Sequence, residues 1–110
     1  MFDLLRKLWR QLRKRHTVGR VIIVESMNDI PIELGANVYL VRRGGMDRRV
    51  VMACPCRCKR RIDVNIGGRE EPHWTVEIGG GSITLWPSIW LRQDPCQSHF
   101  FVRQGKFVWV

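Results

Sequence analysis

Long apolar runs are missing from this chain: nowhere in its 110 residues do uninterrupted apolar side chains approach the roughly 18 that a membrane-crossing helix needs. The opening segment MFDLLRKLWRQLRKRH lacks the continuous apolar core and the small-residue cleavage site of an export signal, which predicts reduced thiols and a cytoplasmic location. Internal repeats and low-complexity tracts are absent as well. The chain therefore reads as one folded unit, soluble or at most attached to a surface, with length enough for a single core. Acidic residues are scarce, 10 against 19 Lys and Arg, for a formal charge of +9.

A recognisable catalytic order is lacking too. The histidines are His16 in a basic stretch, His73 beside Pro72, and His99 next to a cysteine. Neither their order nor their spacing yields a Ser-His-Asp arrangement. A Cys96–His99 nucleophile pair is formally available, but metal binding explains the same two residues together with the other cysteines. Gly79-Gly80-Gly81 runs into Ser82-Ile83-Thr84, which are β-formers, so it predicts a hairpin turn and excludes a phosphate loop, whose glycines must open a helix. From sequence, the chain is not expected to be an enzyme.

What is present is concentrated. All 4 cysteines fall in two short segments, Cys54-Pro55-Cys56-Arg57-Cys58 and Cys96-Gln97-Ser98-His99. Thiolates at this density beside an imidazole suit tetrahedral Zn²⁺, which takes sulfur and nitrogen ligands from two short loops. Five candidates, Cys54, Cys56, Cys58, Cys96 and His99, compete for four places. The favoured set is Cys54, Cys56, Cys96 and His99, because Cys54 directly ends the apolar run Val50–Ala53 and Pro55 bends the chain so that alternate thiols meet one ion. Cys58 is then spare, and with Arg57, Lys59, Arg60 and Arg61 around it would ionise readily and be reactive; alternatively it replaces Cys54 or Cys56. Four protein ligands leave no open position, so the zinc is read as structural. An iron–sulfur cluster on the same residues, making a small redox carrier, is the alternative that colour would reveal.

The charge is uneven. Residues 1–20 carry Arg6, Lys7, Arg10, Arg13, Lys14, Arg15 and Arg20 against Asp3 alone, a formal +6, and form a basic arm. Within it Phe2, Leu5, Leu8, Trp9 and Leu12 recur at three- and four-residue steps, with Leu4 widening the stripe, so residues 2–15 predict an amphipathic helix with Arg10 and Arg13 among its cations. Such a helix docks an acidic protein partner, follows nucleic acid, or packs on its own domain; a membrane surface has less support. Gly19 is read as ending the arm and freeing it from the body.

Residues 21–110 predict a mainly β domain, a small antiparallel sandwich or open barrel clipped by the metal. Short runs rich in Val, Ile and aromatics alternate with glycine turns. Ile83–Trp86 and Ser88–Leu91 are read as separate strands divided at Pro87. The basic arm, the Arg57–Arg61 cluster and 5 Trp allow a nucleic-acid-binding zinc domain as the alternative, although tryptophans in predicted strands read as core and no helix-turn-helix or zinc-finger pattern occurs.

Three segments carry a family resemblance: CPCRCKRRIDVNI, LWPSIW and CQSHFFVRQGKFVWV. Together they resemble a small bacterial family of unknown function in which Cys-Pro-Cys-x-Cys precedes a strand, Pro-Ser-Ile/Val-Trp follows, and Cys-x-Ser-His-Phe leads into a final hairpin. The likeness covers residues 37–110, with Arg57 and Lys59 standing where that family often has small residues. It implies a metal-binding accessory protein encoded with ubiquitin-like modifiers and their activating or conjugating enzymes, in gene clusters suspected of antiviral defence. The combined reading is a non-enzymatic, zinc-stabilised adaptor that docks one of those enzymes.

Overall fold

The computed structural model describes residues 2–68 and 70–110, without the side chains of Phe2, Arg10 and Gln11. It is mainly β. Helix α1 (Phe2–Arg13) precedes eight strands: β1 (Val21–Val24), β2 (Val38–Arg43), β3 (Met46–Ala53), β4 (Arg61–Asn65), β5 (Thr75–Gly79), β6 (Ser82–Trp90), β7 (His99–Arg103) and β8 (Lys106–Trp109). They form two four-stranded sheets, ordered β1-β2-β3-β4 and β5-β6-β7-β8, and neither closes into a barrel. Every recorded strand pairing is antiparallel apart from β1 with β2, which run parallel.

The period-2 alternation of strand side chains explains the layering. Val38, Leu40, Val50, Met52, Ile62 and Val64 of the first sheet face Ile83, Leu85, Ile89, Phe100, Val102 and Phe107 of the second and make the main core. The opposite faces of β2 and β3 carry Tyr39, Val41 and Val51, which the segment before β2 covers with Ile30 and Leu34. The first sheet is thus covered over β2 and β3 on its outer face, with Arg61 and Asp63 of β4 left exposed, whereas the second leaves its outer face open.

Two sequence expectations change here. Pro87 does not divide two strands; β6 runs through it as one element with an irregularity. Its pairs with β7 jump from Leu85–Val102 to Ile89–Phe100, so three residues of β6 oppose Phe101 alone. A proline has no N–H for the ladder, and a bulge is where a strand accommodates one.

Gly19, second, does not free the arm. The N–H of Arg15 donates to Pro55 O (2.7 Å), Val18 to Gly105 O (2.7 Å), Gly19 to Ala36 O (2.7 Å), and Phe107 to His16 O (2.9 Å), so residues 15–19 staple loops of both sheets. The helix before them stays solvated: its described apolar side chains range from 53% exposed at Leu8 to 77% at Leu12.

A Cβ on Gly19 would lie 2.9 Å from Asn37 Oδ1 and 3.0 Å from Ala36 O, the same carbonyl that Gly19 bonds. Gly19→Ala should therefore cost about 1–3 kcal/mol in denaturant unfolding, the usual penalty of overpacking. Unchanged stability would show that residues 15–19 do not hold the sheets.

Candidate functional site

The cysteine loops lie at one end of the sandwich, where β3 runs into β4 and β6 into β7. Left-handed backbone at Arg57 (φ 70°) and Lys59 (φ 69°) coils the first loop, with Cys54 N–H donating to Arg60 O at 2.8 Å and Arg57 N–H to Cys54 O at 3.0 Å. The second loop is turned by Asp94 N–H to Leu91 O (3.2 Å) and Gln97 N–H to Asp94 O (3.0 Å). Arg60 Nε joins the loops through Asp94 Oδ2 at 2.8 Å.

The sulfurs of Cys54, Cys56, Cys58 and Cys96 all lie within 4.8 Å of one another. A tetrahedral ion with bonds of about 2.3 Å to sulfur sets its ligands about 3.8 Å apart, so this spacing fits a single cation with little adjustment. Ser98, buried, sits among them: its hydroxyl donates to Cys96 Sγ at 3.3 Å and accepts from Cys54 Sγ at 3.4 Å. Burial drives the Cys54 thiol far up, and desolvation, reinforced by Cys56, also raises Cys58. At Cys56 desolvation is outweighed by hydrogen bonds from Ser98, Cys58 and Cys54, which bring it down to about 7. Sulfurs this close cannot all ionise unaided, and a divalent cation removes that conflict.

The favoured ligand set differs from this arrangement in one exchange. Cys58 is in the sulfur cluster, and its thiol is not the lowered one that its cationic neighbours suggested. His99 is outside it. His99 begins β7, where its Nε2 lies 3.0 Å from Ser88 Oγ. Its ring stacks on Trp90 across the β6–β7 pair, with centroids 4.8 Å apart and planes 10° from parallel. Ser88 is the residue that the Pro87 bulge turns toward β7, and its carbonyl accepts from Trp74 Nε1 at 3.3 Å, which holds the bulge. A groove of about 320 Å³ runs from His99 along Cys56, Cys58 and Cys96 to Arg13 and Lys14.

A serine hydroxyl bonded to a histidine nitrogen is the minimum of a nucleophile and its base. The family model described as "Bacterial ubiquitination-like system serine protease (BubE)" matches residues 25–110. The chain belongs to this family. No curated protein and no solved structure matches it.

Membership places the chain in a bacterial ubiquitination-like system and overturns the expectation that it is not an enzyme, since the family is named for a serine protease. The Ser88–His99 contact was not legible in the sequence for a physical reason: the two residues become neighbours through sheet register, which linear spacing does not display. Assigning His99 to the metal then left Ser88 without this partner. The available signal was Pro87, since a proline inside a β-like run marks a bulge.

Binding of a divalent cation to the metal-free protein at pH 8 should release at least two protons per ion, one each from Cys54 and Cys58, because both thiols are raised. An indicator titration in dilute buffer measures this. Cys58→Ser should lower both metal affinity and proton release, and unchanged affinity would remove Cys58 from the ligand set.

Proposed function

We propose that the protein is a serine hydrolase in which Ser88 is the nucleophile and His99 the general base, cleaving a peptide bond at the C-terminal end of a ubiquitin-like protein. The observation that carries this reading is the 3.0 Å contact between Ser88 Oγ and His99 Nε2. For His99 to accept the hydroxyl proton, its own proton resides on Nδ1. Ser88 Oγ attacks the scissile carbonyl as Nε2 takes its proton; Nε2 then returns that proton to the leaving amine, and water hydrolyses the acyl-enzyme by the same route. Trp90 braces the imidazole plane, and Trp74 fixes the backbone from which Ser88 projects.

The sulfur cluster holds Zn²⁺ in this reading, with Cys54, Cys56, Cys58 and Cys96 as ligands. Zinc is preferred because the sulfurs lie within 4.8 Å of one another, a spacing that suits a single ion, whereas an iron–sulfur cluster would interpose its own iron and sulfide between the thiolates. With four protein ligands the ion supplies rigidity and no open position for chemistry, and it suits a reducing cytoplasm. Its role is to fix the loop that carries His99.

Docking is assigned to the amphipathic helix, as a unit separable from the β domain. Leu5, Leu8, Trp9 and Leu12 are exposed, and the arm's formal +6 favours an acidic surface on an activating or conjugating enzyme. Phe2 and Arg10, named for the same role from sequence, have side chains outside the described residues, and Arg13 lines the groove beside His99.

A fluorophosphonate probe should modify Ser88 in the metal-loaded protein, as read by peptide mass. Ser88→Ala should abolish labelling, and His99→Gln should slow it by about a thousandfold with an unchanged melting temperature. A probe adduct elsewhere, or labelling indifferent to His99, would refute the mechanism. For docking, Leu8→Asp should weaken capture of the partner enzyme at least about tenfold, on the order of one buried leucine, and leave Ser88 labelling intact.

A further inference from the structure

The outer face of the second sheet is open, and what it displays around Ser88 is ordered. Phe100 and Val102 point into the core, so His99, Phe101 and Arg103 point outward. On β6, Trp86 stacks on Phe101 (centroids 5.9 Å, 24° between planes) and Trp90 stacks on His99, which puts both indoles on this face with Ser88 between them. Trp86 is 60% and Trp90 51% exposed, contrary to the expectation that tryptophans in these strands are core. Each indole block carries a guanidinium: Arg103 lies 4.2 Å over the Phe101 ring and Arg92 4.6 Å over the Trp90 ring. Among the described residues neither arginine is in an ion pair. Glu77, opposite Thr84 on β5, stands on this face in the row of Arg103, with Thr84 between them.

We propose that this face is the substrate strip: an extended peptide lies along it with its scissile bond at Ser88 and acidic side chains on both sides, one reaching Arg103 and the other Arg92. The inference rests on the Ser88–His99 reading and adds specificity to it. A guanidinium resting on an aromatic ring is held by the ring quadrupole yet keeps free N–H donors, so it meets a carboxylate already oriented. The indoles supply apolar area to an extended backbone at little entropic cost, having only two side-chain torsions each. Cations at both ends of the strip and the reactive pair in its middle favour a peptide crossing the centre over a nucleic acid, whose phosphates would require positive charge at Ser88 too.

The test uses the full-length, metal-loaded Ser88→Ala protein, so that binding is read apart from cleavage. Two labelled extended peptides of about ten residues, long enough to lie along β6 at roughly 3.4 Å per residue, differ only in carrying Glu or Gln on either side of a central glycine. The Glu peptide should bind at least about tenfold more tightly, the effect of one charge-assisted hydrogen bond, and should quench tryptophan emission. Added salt should erode that preference, and Arg92→Gln with Arg103→Gln should abolish it without altering the melting temperature. Trp86→Ala should weaken both peptides alike. Equal affinity for the two peptides, a preference insensitive to salt, or one retained without the arginines would overturn the proposal. So would an oligonucleotide that displaces the Glu peptide from the same face. A Glu preference in a protein whose Ser88 resists the fluorophosphonate probe would support the strip and count against hydrolysis alone.

Discussion

The convergence of four sulfurs is the constraint on which the rest depends. Three come from the loop between β3 and β4 of the first sheet and one from the loop between β6 and β7 of the second, so the cluster brings together two layers that apolar packing and the backbone bonds of residues 15–19 also hold. Small domains bury too little surface to be generously stable, and a cross-layer clip adds most where the joined segments are distant in sequence. Cys54 and Cys96 are such a pair. Their loops are further tied by Arg60 to Asp94 and by Ser98, whose hydroxyl touches sulfurs from both.

Position couples this cluster to the contact between Ser88 and His99. His99 follows Ser98 and stands three residues after Cys96, where the loop becomes β7. A shift of the sulfur cluster would therefore reach the His99 imidazole, the base of the proposed mechanism, through three residues of chain. The Ser88 side is held independently, by the ladder on either side of the Pro87 bulge and by Trp74, which bridges from the β4–β5 connection. In the proposed mechanism, strand packing thus sets the nucleophile and the cysteine loop sets its base.

Much of this was legible in the chain itself, because the strongest signals are local. Short runs rich in Val and Ile mark β1 to β4, glycine pairs mark the hairpins, and the Gly80-Gly81 turn has the positive φ angles (58° and 79°) that such a sequence demands. The cysteines announced their own convergence, and the stripe Leu5, Leu8, Trp9 and Leu12 announced a helix. What failed was non-local. Gly19 looks like a helix stop until Ala36 is brought against it; Pro87 looks like a strand break until β7 shows a bulge. Trp86 and Trp90 read as core because propensity states that an aromatic favours a sheet and not which face it occupies.

The same limit governs the chemistry. Metal ligands cluster in sequence because one ion draws on short loops, so Cys-x-Cys-x-Cys can be read directly. A nucleophile and its base need only meet in space, and any two strands in register can deliver them. Ser88 and His99 are separated by the entire cysteine-bearing excursion between β6 and β7, which makes them look like members of different motifs. The excursion returns His99 to the strand it left, opposite Trp90 and diagonal to Ser88. In the proposed mechanism the cysteine segment that hides the histidine from a sequence reading also leads directly into it, so the metal ligand and the base, which compete in sequence, fall on neighbouring residues where the loop becomes β7.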